Sequence, residues 1–162
     1  MGLVVPSFDD FLDRRKVSVN VQRLTQTLQL SRTTAVTENV KVTICPVNRS
    51  LLCSSDWSTG YISFVDKNGD RQYDAGDTLL YQFYSEDERS RLSWRAFGAR
   101  KSLQWLETGI TNHQNGSFEL CYDNKADNAR GLFLTKAGRI RFSKDTNGDG
   151  LHENSTGKPI NC

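Results

Sequence analysis

Residues 7–38 contain neither glycine nor proline, and after Asn39 the hydrophobic period changes abruptly from helical to strand-like. That switch confines the chain to a narrow set of folds. Val17, Val21, Leu24, Leu28, Ser31 and Ala35 recur with a 4-3-4-3-4 spacing, one stripe of a helix that can lie along a sheet. Ser7 follows Pro6 as the expected N-cap. Asp9 and Asp10 then place negative charge in the first turn, where the helix dipole favours it. Phe8, Phe11 and Leu12 precede the stripe, and Arg14-Arg15-Lys16 separates the two. The helix is therefore expected to project at its N-terminal end and pack at its C-terminal end.

Period-two segments follow. Residues 40–44, 61–65, 78–83, 93–97, 102–106 and 118–122 read as strands, and residues 132–142 as a final hairpin. One long helix followed only by strands predicts an α+β domain, the helix laid across an antiparallel sheet. The 162 residues suffice for one domain with a real core. We divide them into the helix at 7–38, a sheet domain at 39–144 and a polar, glycine-rich tail at 145–162, expected to be mobile. Leu3-Val4-Val5-Pro6 is far too short to cross a bilayer, which takes about 20 apolar residues. Residues 1–6 read as the cut end of a longer hydrophobic anchor segment, the anchor helix itself being absent.

Cys45, Cys53, Cys121 and Cys162 show no C-x-x-C spacing, and only His113 and His152 could add imidazole ligands. An even, widely spaced set favours two disulfides and an oxidising compartment. Local pairing, Cys45 with Cys53 and Cys121 with Cys162, would contribute roughly 2.5 and 4 kcal/mol in the chain-entropy model. Four reduced, buried thiols are the alternative.

The final hairpin carries the strongest functional signal. Lys136-Ala137-Gly138-Arg139-Ile140-Arg141 has a turn at Ala137-Gly138 and a returning strand on which Arg139 and Arg141 share one face, with Ile140 and Phe142 on the other. Lys136, Lys144 and Arg130 lie close in sequence, and no acidic residue falls between Arg130 and Lys144. Two forked, permanently charged guanidiniums a strand-pitch apart suit a phosphate backbone. The alternative is a solvated sheet edge whose cations deter edge-to-edge pairing. A net charge of +2 is too mild for the whole surface to bind nucleic acid, so such a role must come from this local patch.

The layout resembles the GspH/FimT group of minor pseudopilins and type IV minor pilins. Ser31-Arg32-Thr33-Thr34-Ala35 into Val40-Lys41-Val42-Thr43-Ile44-Cys45 carries the match, as does the run from Trp57-Ser58-Thr59-Gly60-Tyr61 through Asp66-Lys67-Asn68-Gly69-Asp70. Gly116-Ser117-Phe118-Glu119-Leu120-Cys121 and the closing Gly138-Arg139-Ile140-Arg141 to Cys162 complete it. Within the group, Gly-Arg-x-Arg is similar to the DNA-binding FimT branch, which acts in DNA uptake during natural transformation. Gly138, Arg139 and Arg141 carry that match. The resemblance implies no enzymatic activity and no cofactor. It implies partners among other pilin subunits, contact with a membrane through the missing N-terminal anchor helix, and a path from bacterial inner membrane and periplasm to a pilus at the cell surface.

Other constellations are weaker. Asp66-x-Asn68-x-Asp70 leads to Asp77 in the manner of a calcium loop, but Arg71 stands where the sharp turn needs glycine. Asp145-x-Asn147-x-Asp149-Gly150 has that glycine, with Glu153 next, yet Thr156 stands where a bidentate glutamate belongs. Ordinary Asx turns are the favoured account of both loops, the first more than the second. Arg89, Arg91, Arg95, Arg100 and Lys101 form a second basic stretch interleaved with Trp94 and Phe97, which read as core rather than as stacking platforms. No phosphate loop, H-E-x-x-H or histidine–nucleophile pair offers catalysis a footing. The leading expectation is a sequence-independent DNA receptor on a pilus. Its rivals are a purely structural minor pilin or pseudopilin that primes or caps a filament, and an extracellular calcium-binding module.

Overall fold

A computed structural model describes residues 8–162. Ser7 and residues 1–6, the expected N-cap and anchor remnant, lie outside the described residues. The glycine-free segment forms one helix, α1 (Phe8–Glu38). Its end is a Schellman-type cap. Asn39 takes the left-handed conformation at φ 55°, and Val40 N–H donates to the Ala35 carbonyl at 3.1 Å. Val17, Leu24, Leu28, Ser31 and Ala35 are buried along one stripe, with Val21 packed against them. Phe8 and Phe11 are 73% and 62% exposed, so the helix projects at its start as the stripe predicts. Among the described residues no helix is long and apolar enough to cross a membrane.

The strands are β1 (Val42–Pro46), β2 (Gly60–Val65), β3 (Thr78–Tyr84), β4 (Ser90–Ala96), β5 (Leu103–Trp105), β6 (Gly116–Tyr122), β7 (Lys125–Leu134) and β8 (Ile140–Phe142). They form not one sheet but two, each four-stranded and antiparallel. The first runs β3-β2-β1-β5 and the second β4-β6-β7-β8. The division arises because β5 returns to pair with β1 while β4 is taken up by β6. Strand periodicity carries no information about that choice of partner.

Helix α1 lies over both sheets and joins them in one core, touching β1, β2 and β5 of the first and β6 and β7 of the second. Leu24, Leu28, Ile44, Val65, Trp105, Phe118, Leu120 and Leu132 all belong to it. Ser31, the polar member of the stripe, bonds Ser63 Oγ of β2 at 2.6 Å, so its hydroxyl is satisfied inside the interface. Each sheet also has an outer face, turned away from α1, and each outer face holds one disulfide. Cys45–Cys53 lies in the first sheet's outer cluster with Val47, Ile62 and Phe64. Cys121–Cys162 lies in the second sheet's outer cluster with Ala129 and Ile160.

The tail expected to be mobile is packed instead. Ile160 is buried against the outer face of β6 and β7, its N–H donates to the His152 carbonyl at 2.9 Å, and the disulfide fastens the last residue. Polar composition hid this because the anchors are one apolar side chain, one covalent bond and hydrogen bonds such as His152 Nδ1 with Ser143 Oγ at 2.9 Å.

Candidate nucleic-acid interface

The final hairpin joins β7 to β8. Thr135 N–H donates to the Arg139 carbonyl at 3.0 Å, Gly138 N–H to the Thr135 carbonyl at 2.9 Å, and Arg139 N–H to Thr135 Oγ1 at 3.1 Å. Arg141 pairs with Phe133, and paired residues in a ladder project from the same face. Arg139 and Arg141 therefore share the outer face of the second sheet. Lys136, Arg139, Arg141 and Lys144 are all exposed, and among the described residues none of the four makes an ion pair. Ile140 turns inward and packs on the core. Phe142, on the same inner side, is 52% exposed because β8 is an edge strand that α1 does not cover.

Two expected members of this patch are placed elsewhere. Gly138 is buried and does not face solvent. Its φ of +81° favours glycine, and a Cβ there would lie 2.8 Å from the Gly109 carbonyl oxygen and 2.9 Å from the Trp105 ring. Its part is to let the turn dock, not to touch a ligand. Arg130 has the parity of Leu132 and Leu134, the two buried core residues of β7, so it faces α1 rather than the outer face. It is half-buried, with Nη1 donating to the Ala129 and Asp127 carbonyls at 2.7 and 3.3 Å. Burial, then the nearby Arg14 charge, lowers its pKa from the usual arginine range. Alternation along a strand separates it from Arg139 and Arg141 although all three are close in sequence.

Arg32 holds the turn from the helix, a role the sequence reading missed. Its Nε donates to the Gly109 carbonyl at 2.8 Å, and its two terminal nitrogens donate to the Gly138 and Ala137 carbonyls, each at 3.3 Å. The guanidinium also lies over the Trp105 ring, 5.8 Å from its centroid. The fork thus ties α1 to two loops at once, which a lysine could not do. The only signal in the sequence is a cation flanking the packed end of the stripe.

The second basic stretch divides. Arg95 is ion-paired with the buried Glu119 at 2.8 Å, and Arg89 with Asp87 at 3.4 Å. Arg91, Arg100 and Lys101 are exposed. Trp94 is half-buried and stacks on Phe118 with centroids 4.3 Å apart. Phe97, expected in the core, is 76% exposed. It opens a short 3-10 turn, Phe97–Ala99, in which Gly98 and Ala99 both have positive φ and carry the chain out of the sheet.

The calcium-like loops close on themselves. Asp66 is buried and accepts from the Gly69 and Arg71 N–H groups at 2.7 and 3.0 Å, from Thr43 Oγ1 at 2.7 Å and from Gln104 Nε2 at 2.8 Å. Asp145 accepts from Gly148 and Gly150 N–H at 2.7 and 2.9 Å, and the Gly150 bond leads the causes that hold its carboxyl below the usual range. Asn147 and Asp149 bond each other, and Glu153 takes the Thr146 N–H at 3.0 Å. Donors from the loops, and for Asp66 also from β1 and β5, thus bond these carboxylate oxygens. Among the described residues no group of three His, Cys, Asp or Glu is placed to hold a metal ion. His113 is exposed in its loop, as expected.

The sequence family described as Type II transport protein GspH matches residues 20–138, and the chain belongs to it. The match ends at Gly138, one residue before the arginine pair. The type IV minor pilin FimU of Pseudomonas aeruginosa is similar in structure in two crystal forms. One has TM-score 0.64 at 22% identity over 94% of this chain and 98% of that one; the other has 0.56 at 20% over 82% and 90%. EpsH, the minor pseudopilin of the Type 2 Secretion System of Vibrio cholerae, has TM-score 0.57 at 11% identity over 78% of this chain and 94% of that one. No curated protein matches the chain in sequence.

Proposed function

We propose that this GspH-family minor pilin binds DNA through its β7–β8 hairpin and serves in DNA uptake at the cell envelope. One observation carries the reading. Lys136, Arg139, Arg141 and Lys144 are exposed and unpaired among the described residues, on a turn that Arg32 and Gly138 hold rigid. A surface that only deters edge pairing needs charge but no braced turn. Phosphates meet Arg139 and Arg141, whose guanidinium forks fit them, while Lys136 and Lys144 add attraction at longer range. Contact is sequence-independent, modest in affinity and strongly salt-dependent. Neighbouring subunits in a filament raise it by avidity. The projecting start of α1, with Phe8 and Phe11 exposed, is where other pilin subunits and the membrane engage the protein.

Titration of the domain with duplex DNA at several salt concentrations tests the reading. Changing Arg139 and Arg141 together to Gln should leave the melting temperature unchanged and reduce the log–log salt slope by about 0.9 per lost contact. Arg→Lys at both positions should restore only part of the affinity. Unchanged affinity and slope in the Gln variant would make the hairpin a solvated edge. The subunit would then be a purely structural one that primes or caps a filament, a reading the fold shared with FimU and EpsH favours.

A further inference from the structure

The tail divides the outer face of the second sheet into a covered half and an open one. On the covered half Ile160 and Cys162 lie over Ala129 and Cys121. On the open half the ladder sets Arg95 opposite Ser117, Ser117 opposite Phe133, and Phe133 opposite Arg141. These four make one cross-strand row, its two arginines on opposite edges about 14 Å apart at ordinary strand spacing. Beyond it, Phe97 N–H donates to the Asn115 carbonyl at 3.1 Å and Thr135 N–H to the Arg139 carbonyl at 3.0 Å. The next row is therefore Phe97, Asn115, Thr135 and Arg139.

The two aromatic rings give this face a chemistry that phosphate binding does not require. Phe133 does not stand upright on the sheet. Its Cζ reaches over Gly131, 3.1 Å from where a Cβ would be, so glycine leaves room for the ring to lie along the strand. Phe97 is 76% exposed, unusual for a phenylalanine beside a half-covered sheet. Small polar residues, Ser117, Asn115 and Thr135, fill the positions between the rings and the cations. Glu119, on the same face, is ion-paired with Arg95 at 2.8 Å and holds it in place.

We propose that this open half is a platform for single-stranded DNA, with bases stacked on Phe133 and Phe97 and the backbone running between Arg95 on one edge and Arg139 and Arg141 on the other. The proposal rests on the DNA-binding reading above and adds a strand preference to it. Every base has a π-face, so stacking is tolerant of sequence, whereas paired bases inside a duplex keep their faces hidden. A four-stranded sheet with central aromatics holds two or three unstacked bases in the same manner. A duplex can use the phosphate contacts alone.

Fluorescence anisotropy with three labelled probes of equal length tests this: oligothymidine, a duplex, and an abasic strand that keeps the phosphates without the bases. Oligothymidine should bind more tightly than either of the others, by about fivefold to a hundredfold per stacked base. Phe97→Ala, at an exposed position, and Phe133→Leu, which keeps apolar cover on Gly131, should each shrink that preference. The Arg139→Gln, Arg141→Gln pair should weaken all three probes alike. Equal binding of oligothymidine and the abasic strand would overturn the platform while leaving the phosphate reading intact, and it needs no variant to fold. Failure of every probe to bind would remove both. Concentration-dependent self-association that Phe97→Ala abolishes, with DNA binding untouched, would give the face to a second copy of the chain and overturn the proposal.

Discussion

The two sheets share one core yet end up with different outer faces. In the first sheet every residue of β1 and β2 is buried. The helix-facing side chains enter the common core, and the others enter a second cluster with Leu51, Cys53, Tyr73 and Tyr84 from surrounding loops and strands. In the second sheet β4 alternates between buried and exposed positions, and only part of the outer face receives the tail. A sheet clad on both sides is a frame. A sheet left half-clad presents a rigid surface whose side chains are free to meet something else. The exposed cations of the β8 hairpin and the exposed Phe97 both lie on that second kind of surface.

Removing a side chain that both sheets share should have the greatest effect. Leu28 is 1% exposed in the common core, so Leu28→Ala should destabilise the protein by about 2–5 kcal/mol. Both sheets should melt in one transition by circular dichroism. Two separated transitions would mean that each sheet folds on its own cladding. The disulfides come next. Cys121→Ser with Cys162→Ser opens a link of sequence separation 41 and should cost about 4 kcal/mol, while Cys45→Ser with Cys53→Ser opens one of 8 and should cost about 2.5 kcal/mol. Denaturant titration without reductant measures both. The second-sheet pair should also expose the face beneath Ile160 to hydrogen exchange. A larger loss from the first-sheet pair would show that cladding, rather than chain entropy, sets the value of each bond.

What was legible in the sequence was local. The Val17-to-Ala35 stripe, most strand positions and the placement of Arg139 and Arg141 on one face follow from periodicity. However, β7 begins at Lys125, well before the expected residue 132, and Phe97 lies outside β4. The division into two sheets depends on β5 choosing β1 across many intervening residues, and period two is blind to it. Arg130 is near Arg139 and Arg141 in sequence, but strand alternation puts it on the other face. The Gly-Arg-x-Arg pattern suggests a ligand role for Gly138, whereas its positive φ and the Arg32 and Trp105 contacts give it a structural task. Phe97 looked like core by its residue type; the turn at Gly98 and Ala99 decides otherwise. The tail's single apolar anchor, Ile160, was outvoted by its polar neighbours.

The smallest expected effect sharpens the boundary between the covered and open halves. His152 lies in the tail, and its Nδ1 shares a 2.9 Å hydrogen bond with Ser143 Oγ, which in turn accepts the Gly131 N–H at 2.8 Å. Burial first, and the Arg130 charge second, push its pKa below the ordinary histidine value, while the hydrogen bond to the Ser143 backbone and the charges of Asp145 and Glu153 pull the other way. A folded pKa below the unfolded one means that the unfolded or undocked tail binds the proton better. The stabilisation is therefore complete above about pH 6.5 and is lost as the pH falls through the folded value. Asp87 does not confuse the measurement. The Tyr122 hydroxyl holds it down to about 2, so the Lys16–Asp87 contact keeps its charges throughout the window. The protection factors of the Ile160 and Glu153 amides, whose N–H groups donate within the tail and to Lys144, should fall on acidification from about pH 7 to about pH 5 once exchange is corrected for its intrinsic pH dependence. His152→Gln should flatten that response and leave the open half unaltered. Equal protection factors at both pH values in the wild-type protein would mean that the His152–Ser143 contact adds nothing to the hold of Ile160 and the Cys121–Cys162 bond on the tail.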